Sequence, residues 1–154
     1  MAARRPAAVL HLRIDGVLTV NTVLGGLGKG ISGLAIDEFY VYVSFFVGGI
    51  LRFTLSGVDS ATSTTEKILR KSDDTTGNIE IDGTALRWST EVPGHVSQCQ
   101  AAACDASVSI VAADQDQAGG QRSTPAHVYW FTRGALQDGG TRVPKTASVR
   151  RKAK

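Results

Sequence analysis

Apolar residues in this chain come in short runs that end at glycine-containing turns, the pattern of antiparallel strands rather than of amphipathic helices. Three pairs of runs predict hairpins. Val9–Ile14 and Val17–Leu24 flank Asp15-Gly16, Glu38–Val47 and Ile50–Leu55 flank Gly48-Gly49, and Asn78–Ile81 and Thr84–Ser89 flank Asp82-Gly83. Each pair is joined by two residues able to adopt the positive φ of a type I′ turn. Phe39-Tyr40-Val41-Tyr42-Val43 is aromatic or β-branched throughout, which predicts a central strand buried on both faces. Ser107–Ala112 and His127–Thr132 bring the expectation to about eight strands.

Two helical segments are expected. Ser63-Thr64-Thr65-Glu66 fits a capping box, in which the serine hydroxyl and the glutamate carboxylate satisfy free backbone amides at a helix start, and Lys67–Lys71 would continue it. The alanine-rich stretch Gln98–Ala106 predicts a second short helix. The segments Gly25–Gly33, Gly57–Thr62, Ser72–Gly77, Asp114–Ser123 and Gly134–Thr141 read as loops. No internal repeat is expected beyond the similar turns Ile14-Asp15-Gly16 and Ile81-Asp82-Gly83. The fold class is therefore mainly β: about eight strands in antiparallel hairpins forming a sandwich or barrel, with one or two short helices. Residues 1–7 read as a short basic arm, 8–140 as one β-rich domain and 141–154 as a flexible basic tail.

Charge sharpens that division. The chain carries +3 overall, yet residues 6–141 hold nine cations against all fourteen acids, a net −5. The remaining cations lie at the two ends: Arg4 and Arg5, then Arg142, Lys145, Arg150, Arg151, Lys152 and Lys154. A basic flexible segment neutralises phosphates by releasing counterions, so these six C-terminal residues are the candidate contacts for nucleic acid, another anionic polymer or an acidic partner subunit. The longest uncharged run, Phe39–Leu51, is too short for a membrane helix and is broken by Gly48-Gly49, so no transmembrane segment is expected. No secretory signal is read at the start, which favours an intracellular or virion-type setting.

The chemistry-bearing motifs are partial. Gly25-Gly26-Leu27-Gly28-Lys29-Gly30 resembles a phosphate-binding loop, but the metal-binding hydroxyl after the lysine is replaced by Gly30 and no helix pattern follows. His95, Cys99 and Cys104 lie close enough to suggest zinc, although the short paired-cysteine spacing of structural sites is missing. Two separate thiols are the favoured reading, ahead of a Cys99–Cys104 disulfide and of zinc. Two cysteines make no disulfide framework and lean towards a reducing compartment. Asp114-Gln115-Asp116 opens like a calcium loop, but Ala118 and Pro125 fall where two ligands are needed. No catalytic residue and no cofactor are assigned.

Trp88, Tyr129 and Trp130 are candidate ligand-stacking residues. Within Tyr129-Trp130-Phe131, Tyr129 and Phe131 share one strand face and Trp130 takes the other. The reading that follows is a non-enzymatic structural or assembly protein, with a protein partner or self-assembly through the β-domain and an anionic contact through the tail. A ligand-binding β-module with an exposed aromatic face is the alternative, and an enzyme the least supported.

Overall fold

The computed structural model describes residues 9–13, 19–24, 30–46, 49–54, 65–69, 76–92, 94–135, 143 and 146–154. These form thirteen strands in four antiparallel sheets, with one short helical segment. Strands β1 (Val9–Arg13) and β2 (Thr19–Leu24) pair as a hairpin; the intervening Asp15-Gly16 turn lies outside the described residues. The other three sheets are meanders. The first runs through β3 (Ile31–Ile36), β4 (Tyr40–Phe45), β5 (Ile50–Thr54) and β6 (Thr65–Leu69). The second comprises β7 (Thr76–Asp82), β8 (Ala85–Thr90), β9 (His95–Gln100) and β10 (Ser109–Ala112). The third comprises β11 (Ala118–Ser123), β12 (His127–Thr132) and β13 (Ser148–Ala153).

The chain is mainly β, as its run pattern predicts, and the sheets lie against one another as in a sandwich, without a closed barrel among the described residues. Their closest approaches are made by first strands, β3 against β7 and β7 against β11. Gly33 permits the former: a Cβ there would stand 2.9 Å from the Ile79 backbone nitrogen. At the far side of the first joint, a 3₁₀ turn (Ala101–Ala103) and the helix α1 (Cys104–Ser107) reach β6. Ala101 donates its N–H to Thr84 at 2.9 Å, and its carbonyl accepts from Arg52 Nη1 at 3.2 Å. The first joint is thus close at its β3–β7 edge and filled by this wedge towards β6.

The core lies in the joints between these sheets and on the other face of the first. From β4, Tyr42 joins Ile50, Ile79, Leu86, Trp88, Cys99, Ala101 and Cys104 between the first and second sheets. Val41, Val43 and Phe45 turn the other way and cluster with Phe53. Val96, Ala118, Val128 and Trp130 fill the joint between the second and third sheets.

Several expectations are corrected. Thr65–Leu69 is a strand paired with β5, not a helix; Ser63 and Thr64 of the capping box lie outside the described residues. Gln98–Ala106 divides between the end of β9 and the helical wedge. The third hairpin turns on Gly83-Thr84 rather than Asp82-Gly83, since Asp82 pairs with Ala85 and Gly83 takes φ +59°. The C-terminal basic segment is a paired strand and not a flexible tail: β13 lies beside β12 from Ser148 to Ala153.

A repeat also emerges. Asp37, Asp82 and Thr124 stand 45 and 42 residues apart, each closing the first strand of its sheet or following its end. Two of these turns match bond for bond. Asp37 N donates to Tyr40 O and accepts Tyr40 N on its carboxylate, at 3.0 and 2.7 Å. Thr124 N donates to His127 O and its hydroxyl accepts from His127 N, at 2.8 and 3.1 Å.

Candidate interaction surface

The repeat puts the second strands in register. Tyr42, Arg87 and Tyr129 are equivalent, as are Ser44, Ser89 and Phe131 two residues later. In the first two sheets all four residues are buried, Tyr42, Ser44 and Arg87 against the sheet that follows. Tyr42 is 1% exposed in the first joint, its hydroxyl donates to Asp37 Oδ2 at 2.8 Å, and Ser44 donates to Gly77 O at 3.0 Å. Burial, with the Asp37 carboxylate beside it, pushes the Tyr42 hydroxyl well above the usual tyrosine range.

The joint between the second and third sheets carries a buried polar network beside its apolar cluster. Arg87 is 5% exposed, and its guanidinium donates to Asp82 Oδ2 at 2.9 Å, Ser123 Oγ at 2.8 Å and Gln98 Oε1 at 3.2 Å. Glu80 accepts from the Ser123 N–H at 2.8 Å and its hydroxyl at 3.1 Å. Gln121 donates to the carbonyls of Asn78 and Arg87 at 2.8 and 3.0 Å. Such a buried cation is tolerated because each bond replaces one it had with water. Lys154 extends the network by pairing with Asp82. Hydrogen bonds from Lys154, then Arg87, hold the Asp82 carboxyl below the usual carboxylate range.

Tyr129 and Phe131 have no following sheet among the described residues. Register places His127 opposite Ala153, Tyr129 opposite Arg151 and Phe131 opposite Val149, with Arg122 opposite Tyr129 across β11. Directly opposed residues share a face. The Phe131 ring lies over Gly119 and Gly120, where added Cβ atoms would come within 2.7 and 2.4 Å of it. Phe131 remains 39% exposed and Val149 78%. The result is an open apolar sheet face edged by Arg122 and Arg151. Beside it, the first-strand edges of the three sheets border a cleft of about 480 Å³, which Ser89, Gln121, Glu91 and Arg133 help to line.

The sequence-predicted residues distribute otherwise than expected. Trp88 lies in the first joint and Trp130 in the second, its Nε1 donating to Gln115 Oε1 at 3.0 Å, while Tyr129 points to the open face. The three do not form one platform. Cys99 and Cys104 are joined in a disulfide, so two free thiols are corrected and neither is a thiolate ligand beside His95. The bond also runs against the reducing compartment favoured by the cysteine count. No group of three or more His, Cys, Asp or Glu side chains suited to a metal occurs among the described residues. Arg150 and Arg151 are exposed on β13, Lys152 donates to Val111 O at 2.8 Å, and Arg142, Lys145 and Lys29 lie outside the described residues. Phe131 and Val149, the most exposed apolar members of the face, were not among the candidates. The signal for Phe131 is its repeat position, equivalent to buried Ser44 and Ser89.

No protein-family model matches the chain, and no curated protein does. Among solved structures, a chain of the nidogen/laminin complex superposes with a TM-score of 0.68 at 16% identity, over 83% of this chain and 51% of that one. At that identity the likeness is one of fold. This chain spans about half the length of the solved chain it matches.

No described helix is long and apolar enough to cross a membrane.

Proposed function

We propose that the chain is a non-enzymatic protein-interaction module built of repeated antiparallel sheets, which contacts its partner through the open face of β11–β13. One observation carries this reading. The positions equivalent to Tyr129 and Phe131 are buried in both earlier repeats, whereas here an aromatic pair stands beside exposed Val149. Aromatic and arginine side chains around a flat apolar centre are the composition of interface cores. The structural neighbour comes from a protein complex, which agrees with this reading at the level of fold.

The earlier notion of a phosphate-binding tail loses part of its basis, because Lys152 and Lys154 are engaged within the fold. A photoreactive amino acid placed at position 129, with position 105 on exposed α1 as control, separates the two. Protein adducts enriched at 129 in native extract are expected. Adducts with nucleic acid alone, or none above the control, would sink the proposal.

A further inference from the structure

We infer that the cleft bordered by the first strands of the three sheets binds a sugar ring. The inference does not depend on the protein contact proposed above. It rests on two buried polar atoms that lack partners and on the side chains that share the cleft with them.

The unpaired atoms belong to Ser89 and Gln121. Both residues line the cleft and both are wholly buried, so they form its floor. Among the described residues, neither Ser89 Oγ nor Gln121 Oε1 has a hydrogen-bond partner. The orientation of the Gln121 amide is fixed, because Nε2 gives its two protons to the carbonyls of Asn78 and Arg87 at 2.8 and 3.0 Å. Its Oε1 is left as an acceptor that requires a donor. Gly77, also on the lining, has no side chain to stand against the Ser89 hydroxyl, where a Cβ would come within 2.9 Å. An unpaired buried polar atom destabilises a fold that gains nothing from it.

The rest of the lining selects the ligand. Phe46, just after β4, and Phe131, on β12, also line the cleft and are 49% and 39% exposed. Each ring lies over glycine: a Cβ at Gly30 would stand 2.9 Å from the Phe46 ring, as Gly119 and Gly120 stand under Phe131. Glu91 and Arg133, an ion pair, add polar groups to the same lining. A hydroxyl both donates and accepts, so hydroxyls can satisfy Gln121 Oε1 and Ser89 Oγ together. A sugar ring carries hydroxyls around its edge and polarised C–H groups on its faces, which suit the electron-rich faces of phenyl rings. A carboxylate would set acceptor against acceptor at Gln121, and a wholly apolar ligand would leave both floor atoms unpaired. The volume of about 480 Å³ falls in the range of small-molecule sites.

Nuclear magnetic resonance titration of the isotope-labelled full chain with glucose, galactose, mannose and N-acetylglucosamine, each in turn, tests this. At least one sugar is expected to shift the Gln121 side-chain amide signals saturably. Ser89→Ala removes an unpaired hydroxyl, so the free protein should be as stable as before or more so, while sugar affinity falls about fivefold, the worth of one hydrogen bond. Phe46→Ala, at a ring already 49% exposed, should weaken binding without touching the floor. Absence of a saturable shift with every sugar, or affinities unchanged in both variants, would overturn the site. Loss of stability in Ser89→Ala would overturn it too, because ordered water would then already complete the floor.

Discussion

At the scale of single residues, backbone geometry and paired charge give the sharpest expectations. Gly94 takes φ +84°, and a Cβ there would lie 2.0 Å from the carbonyl oxygen of Gln115, whose N–H bonds the Gly94 carbonyl at 2.8 Å. Gly94→Ala therefore meets both a left-handed backbone and a main-chain clash, and should lower stability by at least about 2 kcal/mol in denaturant melts. Gly83, with φ +59° and open space around its Cβ position, meets only the first, so Gly83→Ala should cost less. Asp82 gives a pH expectation of definite sign. Lys154 and Arg87 depress its folded-state pKa, so its contribution is present above the unfolded value near 4 and is lost as pH falls through the folded value. Asp82→Asn should flatten the acid limb of the stability–pH profile, and an unchanged limb would show that other carboxylates set it. The sequence already shows aspartate before glycine at this turn, but not the arginine beneath it, because Arg87 and Asp82 meet only once the hairpin closes.

Elements were legible where local chemistry and tertiary packing agree. The β4–β5 and β7–β8 strand pairs and the two-faced burial of β4 follow from runs of β-formers, but their turns fall elsewhere than expected: Ser44 pairs with Ile50, so the strands do not flank a two-residue Gly48-Gly49 turn, and Asp82 pairs with Ala85. The segment Thr65–Leu69 misleads because its capping-box residues satisfy a helix rule, while β5 offers it a ladder of main-chain bonds that local sequence does not record. The basic strand β13 misleads for a related reason. Its exposed Arg150, Arg151 and Lys152 read as a solvated tail, yet β12 supplies a partner at every residue from His127 to Thr132. The helical wedge is held by the Cys99–Cys104 disulfide, whose two cysteines are buried in the first joint. Closing so short a loop restricts the unfolded chain by about 2 kcal/mol. Denaturation with and without reductant should differ by that amount, and coincident curves would show that packing alone holds the wedge against β6.

At the scale of the molecule, the repeat was hidden because it resides in turn geometry more than in residue identity. Asp37 and Thr124 make the same bonds with different side chains, and the equivalent second-strand residues are tyrosine, arginine and tyrosine. A series of sheets in which each touches its neighbours has stability that is close to a sum of sheet and joint contributions, so the end with one partner should open first. The third sheet has such an end in the described structure, and its joint holds a small cluster, Val96, Ala118, Val128 and Trp130 with Val111 and Ala112 packed against it, beside a polar surround. Trp130→Ala removes the largest of these side chains, a change that typically costs about 3–5 kcal/mol. In native-state hydrogen exchange it should strip protection from β11–β13 while β4 and β5, anchored by Tyr42, Ile50 and Phe53, keep theirs. Loss of protection in all three sheets together would mean that the joints are coupled tightly enough to unfold as one unit.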